Sequence, residues 1–287
     1  MNSYLQKLIE RIARIYINTP FYPHWLEFRE SRKRHGVMLK NLASRLDDKA
    51  SVSLLEIGCA SQKNKAIFSK FLPVSYYCGL DYPQWWISQN TEIGGTKHNE
   101  NQQDIKYILK DIIFGNQNIK ADVWGDGLQL PFRDSFFDIV THFEVMEHVS
   151  STEILFQEIS RCLNDDGYLI FSMPFVYQNH SAFDISRLTK QGIEALCQRH
   201  KLKILTDSST GFGTTISQLT NSFIIKNIVG FHNDSSSLIR KVTTALFATV
   251  FLFPIINIVT LIIDKVWFDS AYANHHYFLC QKQTTSK

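Results

Sequence analysis

Gly125-Asp126-Gly127-Leu128-Gln129-Leu130-Pro131-Phe132 is the stretch on which the reading of this chain turns; Ser135-Phe136-Phe137-Asp138-Ile139-Val140 and Val145-Met146-Glu147-His148-Val149 follow it. In order these give an acidic loop, a turn, a buried strand and a polar strand end. Open α/β sheets take small molecules beyond the carboxyl ends of their strands. An acid placed just ahead of such a strand points to a nucleotide-like ligand.

Upstream, Val52 to Ile57 is an apolar run that breaks at Gly58, Gln62 to Phe71 can form a helix, and Tyr76 to Leu80 is a second run ending at Asp81. Ala121 to Trp124 and Phe137 to Phe143 read as the third and fourth strands. Downstream, Ser150 and Glu153 make a capping-box pattern opening a helix with Leu155, Ile159 and Leu163 on one face. Asn164-Asp165-Asp166-Gly167 reads as a turn, Tyr168 to Met173 as a fifth strand, Thr189 to Arg199 as a helix and Lys201 to Thr206 as a sixth strand. The alternation predicts an α/β fold, a Rossmann-like doubly wound sheet. Four segments are expected: an N-terminal helical part (1–48), the sheet domain (49–208, with a polar insertion at 83–120), an apolar helical insertion (209–274), and a final strand and tail (275–287). Ile105, Ile108, Leu109, Ile112 and Ile113 predict a helix within the first insertion, which Trp85 and Trp86 open.

Composition narrows the function classes. Hydrophobic residues at 44% and charged residues at 20% exclude a disordered chain, and a net charge of +3 gives no footprint for nucleic acid. The basic cluster Arg29, Arg32, Lys33, Arg34, His35 reads as a solvated helix face. Cys59, Cys78, Cys162, Cys197 and Cys280 lack metal or redox spacing, so no metal is expected, and the pattern suits a reducing cytoplasm. Leu5, Leu8, Ile9, Ile12, Ile15 and Tyr16 form an amphipathic helix.

Three positions carry the chemistry. Gly58, directly after a strand, lets the backbone turn sharply and approach a ligand. Asp81 can accept hydrogen bonds from ribose hydroxyls, on the order of 1.5–3 kcal/mol each because the acceptor is charged. Asp126 can accept from an adenine amino group while the following N–H faces the ring, with Leu128 or Leu130 as an apolar surface.

Together with Glu56, Leu130-Pro131-Phe132, Glu147-His148-Val149 and Gly167-Tyr168-Leu169-Ile170, these residues resemble class I S-adenosylmethionine-dependent methyltransferases of the type 11 branch. The resemblance covers about Val52 to Met173. It implies a seven-stranded sheet with the last strand, here Tyr277 to Cys280, antiparallel, and S-adenosyl-L-methionine as cofactor. Glu56, Gly58 and Cys59 would line the methionine end, Asp81 the ribose, Asp126, Gly127 and Leu128 the adenine, with His142 or Phe143 bordering the cofactor. Ala60 and Gln62 stand where the family has further glycines; alanine fits there if φ stays negative, and Gln62 narrows the loop.

Pro174-Phe175-Val176-Tyr177-Gln178-Asn179-His180 and Phe183-Asp184-Ile185-Ser186-Arg187-Leu188-Thr189 are similar to methyltransferases of polysaccharide and cell-envelope biosynthesis. That similarity implies a hydroxyl on a glycan or lipid-linked acceptor. His180 is then the expected base, with Asp184 orienting it and His148 as the second choice. Tyr177 and Arg187 would meet the substrate, although Arg187 can equally pair with Asp184. A small lipid or quinone-like acceptor, a catalytically silent scaffold and a nicotinamide oxidoreductase are the competing readings.

Leu246 to Ile263 is almost wholly apolar, interrupted by Thr249, Pro254, Asn257 and Thr260, and follows Arg240 and Lys241. A broken helix pair is expected here, dipping into one leaflet at the cytoplasmic face of a membrane or packing as a hydrophobic subdomain.

Overall fold

The computed structural model describes residues 3–46, 50–82, 120–179, 183–229 and 238–284. The predicted helix around Ile105 to Ile113, Trp85, Trp86 and His180 lie outside these residues.

Two helices, α1 (Ser3–Tyr16) and α2 (Trp25–Ala43), precede the sheet. Its strands are β1 (Val52–Ile57), β2 (Val74–Asp81), β3 (Val123–Trp124), β4 (Phe137–Phe143), β5 (Leu163–Pro174), β6 (Leu202–Ser209) and β7 (His275–Lys282). They lie in the order β3-β2-β1-β4-β5-β7-β6. All neighbours are parallel except β7, which runs antiparallel between β5 and β6. The order reverses at β1, where β2 lies on one side and β4 on the other. A crevice opens at such a switch point.

The central strands are largely apolar because both faces are covered, and their period of two sends alternate residues to opposite cores. Leu55, Val140, Leu169 and Phe278 pack with Leu155, Phe156 and Ile159 of α4 (Thr152–Cys162) and with Ile193 and Leu196 of α5 (Lys190–Arg199). Leu54, Ile139, Ile170 and Leu279 pack with Met38, Leu39 and Leu42 of α2 and Phe68 of α3 (Lys65–Phe71).

Three local expectations are corrected. The cap of α4 is Ser151, whose Oγ accepts from Ile154 N at 3.2 Å, one residue beyond the Ser150 that the sequence pattern favoured. The turn at Asn164–Gly167 is an outward excursion within β5: Phe137 pairs with Leu163, Ile139 with Tyr168, and Asp166 at φ 62° absorbs the extra length. The basic cluster on α2 is only partly solvated, since Arg34 is buried, donates from Nε to Ser209 O at 2.9 Å and pairs with Glu30.

Between β6 and β7 the chain forms α6 (Phe212–Phe223, continued by a π-helical turn to Val229), α7 (Leu238–Phe247) and α8 (Phe253–Val266). A π turn, Ala248–Leu252, joins α7 to α8 in one helical run instead of a broken pair. It sits just before Pro254, which has no N–H to give and whose ring crowds the preceding turn. All five cysteines are buried free thiols.

Candidate active site

A cavity of about 480 Å³ lies over the ends of β1, β2 and β4. That volume falls in the range of small-molecule sites, about 300–1,000 Å³. Gly58, Ala60, Asp81, Asp126, Gly127, Leu128, Phe143, Glu144 and His148 line it, with Phe183 and Ile185 at one side.

Gly58 has φ +73°, and a Cβ there would fall 2.5 Å from Val145 Cγ2. Its N–H and that of Cys59 both donate to Leu80 O, at 2.8 and 3.2 Å, fastening the turn to β2. Ala60 and Gln62 also have positive φ, 46° and 56°, so the condition under which alanine fits there without strain is not met. Each costs roughly 1–2 kcal/mol for a residue with a Cβ. Ala60 N compensates by donating to Asp81 Oδ2 at 2.6 Å. Gln62 Nε2 donates to Asp122 Oδ2 at 2.9 Å and to Lys120 O, so its side chain reaches across to the β2–β3 side and does not line the cavity.

Asp81 Oδ1 accepts from Tyr82 N at 2.8 Å. The two backbone donors fix the carboxylate in direction at the cavity wall. Asp126 Oδ1 accepts from Leu128 N at 2.8 Å, an Asx turn that presents the following loop backbone to the cavity. Gly127 is buried, with Leu155 Cδ1 3.2 Å from where its Cβ would be.

Three residues assigned to the cofactor do not reach the cavity. Glu56 is buried beneath the loop, accepting from Asn64 Nδ2 at 2.7 Å and Tyr77 OH at 2.5 Å. Burial pushes its carboxyl up to about 7 against the pull of those two bonds. Cys59 lies under the turn, and burial together with the charges of Asp81 and Glu56 pushes its thiol up to about 12. His142 faces the opposite core from Phe143: it is fully buried, stacks on Phe171 at 5.1 Å, and neither ring nitrogen finds a partner. Burial pulls its pKa down to about 3, so it is a neutral core ring. Strand alternation leaves Phe143 on the cavity wall.

The wall away from Asp81 and Asp126 holds a group the sequence reading missed. Glu144, at φ 55° just past β4, lines the cavity with its carboxylate held from two sides. Ser172 Oγ on β5 donates to Oε1 at 2.6 Å, and His275 Nε2 at the start of β7 lies 2.9 Å from Oε2. Burial opposes the Glu144 charge, but the His275 imidazolium and the Ser172 hydroxyl outweigh it and hold the carboxyl below the ordinary range. Burial likewise opposes the His275 charge, and Glu144 outweighs that, raising the imidazole. His275 Nδ1 is buried without a partner.

His148 lines the cavity from the short helical turn Met146–His148, with Nδ1 3.2 Å from Phe183 O. Beside it Glu147 is entirely buried, with Oε1 3.5 Å from His148 Nε2. Burial, reinforced by the Glu144 charge, pushes Glu147 up to about 9 and makes it a neutral acid at pH 7. Asp184 does not orient a base from a free position: Arg187 grips both its oxygens, with Nη2 to Oδ2 at 2.6 Å. Of the two readings of Arg187, this is the pairing. Tyr177 sits behind the cavity wall, its ring 5.1 Å from His275 and its hydroxyl bonded to Glu27 and Gln218.

Among known proteins, the profile of the family described as a methyltransferase domain matches residues 26–205. No curated protein matches the chain in sequence. A candidate sarcosine dimethylglycine methyltransferase from Galdieria sulphuraria superposes with a TM-score of 0.51 at 14% identity, covering 89% of this chain and 88% of that one. Phosphoethanolamine N-methyltransferase 2 of Haemonchus contortus, solved with S-adenosyl-L-methionine, gives 0.44 at 13%, covering 85% and 53%. At such identities the likeness is one of fold. The family profile, however, runs from α2 into β6, across the glycine turn, both acidic loops and the Glu144 wall. The chain therefore belongs to the methyltransferase-domain family, and its cofactor is S-adenosyl-L-methionine.

Proposed function

We propose that this enzyme methylates a hydroxyl of a glycan or lipid-linked saccharide in cell-envelope polysaccharide biosynthesis, at the cytoplasmic face of a membrane. The reading is carried by Glu144 on the cavity wall, held there by Ser172 and His275. A hydroxyl must lose its proton as it becomes a methyl ether, and a carboxylate fixed between Ser172 and the His275 imidazolium can orient that hydroxyl and accept the proton as the methyl group is transferred.

The residues present fit the cofactor: the Gly58 turn, Asp81 and Asp126 line one cavity, and the two acids supply acceptors there. When bound, the cofactor supplies a sulfonium-activated methyl group. Gly58 and its turn admit the amino-acid end, Asp81 takes the ribose hydroxyls, and Asp126 with the Leu128 side chain holds the base. Leu80, Leu128 and Phe143 keep water from that end of the cavity. Glu144 accepts the acceptor's proton at a carboxylate oxygen, and His148 stands across the wall as the second candidate base. The loop similarity around Phe183 to Thr189 supports a saccharide, and the exposed apolar run of α7 and α8 supports its lipid-linked form.

The test is transfer of methyl-labelled S-adenosyl-L-methionine to a membrane extract, followed by linkage analysis of the labelled product. The expected label is an O-methyl on a saccharide. Glu144→Gln is expected to lower turnover about 10²–10⁴-fold with S-adenosylhomocysteine affinity unchanged. Label on an amine nitrogen, or undiminished turnover in Glu144→Gln, would overturn the proposal.

A further inference from the structure

Helices α6 and α8 are built inside out. On α6 the buried residues include Thr214, Thr215, Ser217, Gln218, Asn221 and Ser222, whereas Phe223 is 60% exposed. On α8 the inward side carries Asn257 and Thr260, while Ile255, Ile258, Val259 and Ile262 are 60, 46, 50 and 53% exposed. Asn257 and Asp264 knit most of these inward polar groups together. Asn257 Nδ2 donates to Pro20 O and Tyr22 O at 2.7 and 2.9 Å, and its Oδ1 accepts from Ser217 Oγ at 2.6 Å and Asn221 Nδ2 at 3.1 Å. Asp264 accepts from the amides of Gly213 and Thr214 at 2.6 and 2.9 Å.

A helix packed against a water-soluble body normally turns its apolar stripe inward. The reverse arrangement, polar groups satisfied internally and aliphatic side chains outward, is what a hydrocarbon surrounding demands. The outward face continues along α7 and the π turn through Leu246, Phe247, Val250 and Phe251. It meets α1 where Tyr16 bonds to Thr249, bringing exposed Ile12 and Ile15 alongside. Trp267, Phe268 and Tyr272 stand exposed where α8 ends, the place amphipathic rings take at a membrane interface.

Charge selects the kind of lipid. Among the described residues from Phe212 to Val266 the one acid is Asp264, already committed to the α6 amides, whereas Lys226, Arg240, Lys241 and Lys265 flank the apolar face. The run Ile239–Val266 has the length of a span, but α8 packs on α6 and α2, and the chain re-enters the sheet at His275. A crossing would carry β7 away from β5 and β6.

We infer that α1, α6, α7 and α8 form one monotopic face that seats in a single leaflet of an anionic bilayer. The inference deepens the membrane placement proposed above and rests on it, but its test reads binding and not turnover, so the acceptor assignment can fail while the membrane face stands.

The experiment is co-sedimentation of the full chain with vesicles of phosphatidylcholine alone and of equimolar phosphatidylcholine and phosphatidylglycerol. The expected result is binding to the mixed vesicles that weakens with salt and is at least tenfold weaker on the neutral ones. Each basic residue near such a surface contributes about 1 kcal/mol, so Lys241→Glu with Lys265→Glu is expected to weaken binding roughly tenfold or more. Ile255→Glu with Ile262→Glu should abolish it, while a thermal shift with S-adenosylhomocysteine shows that the variant remains folded. No binding above that variant, or equal binding to both vesicle types, overturns the inference. So does a soluble wild-type dimer that the same variant splits, since the face would then belong to a second copy.

Discussion

Gly58→Ala isolates the turn on which the cofactor site rests. Two independent costs attach to it. A Cβ at φ +73° incurs roughly 1–2 kcal/mol of backbone strain. The same Cβ, 2.5 Å from Val145 Cγ2, adds an overpacking cost of about 1–3 kcal/mol. Together the loss is about 2–5 kcal/mol, concentrated in a loop whose amides bond to Leu80 O. Urea unfolding with and without S-adenosylhomocysteine measures it, and the double variant with Val145→Ala separates the parts. Relief of the clash should recover the overpacking share and leave the strain, giving a coupling energy of about 1–3 kcal/mol. A Gly58→Ala protein of unchanged stability and affinity would refute the reasoning. A Val145→Ala effect that simply adds would show that the two side chains do not meet.

Three further outcomes are expected. Ala60→Gly should be neutral or stabilising by up to about 1 kcal/mol in urea unfolding, because relief of the positive φ offsets glycine's greater unfolded freedom; a clear loss would mean the strain is absent. Asp81→Asn should weaken S-adenosylhomocysteine binding by about 1.5–3 kcal/mol, seen by calorimetry, and an unchanged affinity would remove the ribose from Asp81. Glu147 holds its proton to about 9 against 4.5 in the unfolded chain, so its contribution is fully present below pH 4.5 and is lost as pH rises towards 9. Glu147→Gln should therefore match the parent at pH 4 and exceed it in stability at pH 8; parallel curves would show that the carboxyl is ionised in the native state.

The doubly wound sheet was legible because its central strands are apolar on both faces, so runs such as Leu54-Leu55 and Ile139-Val140 stand out with turn residues at their ends. Gly58, Asp81 and Asp126 were legible for a related reason: each sits at or just past the end of a strand, and strand ends converge at the switch point. Roles that depend on which way a side chain faces were not. His142 and Phe143 are neighbours, and only the phase of β4 decides which one meets the cavity. Glu56 and Cys59 lie on the right loop but point beneath it. Glu144 was invisible because its meaning comes from His275, which reaches it only when β7 slots beside β5. The inverted polarity of α6 and α8 was hidden too, since Asn257 and Thr260 look like interruptions of an apolar run until their partners on α6 and the α1–α2 turn are in place.

The placement of β7 has a consequence for the order of events during synthesis. Residues 275–282 are inserted between two strands already made, so a nascent chain lacking them presents β5 and β6 with open edges toward each other. Closing that gap waits on a contact of long sequence separation, which is slow and leaves unpaired backbone available to other chains. The same strand delivers His275 to Glu144. Until the ribosome has released this last strand, the cavity wall lacks one of its partners, and completion of the sheet and arming of the site become a single step.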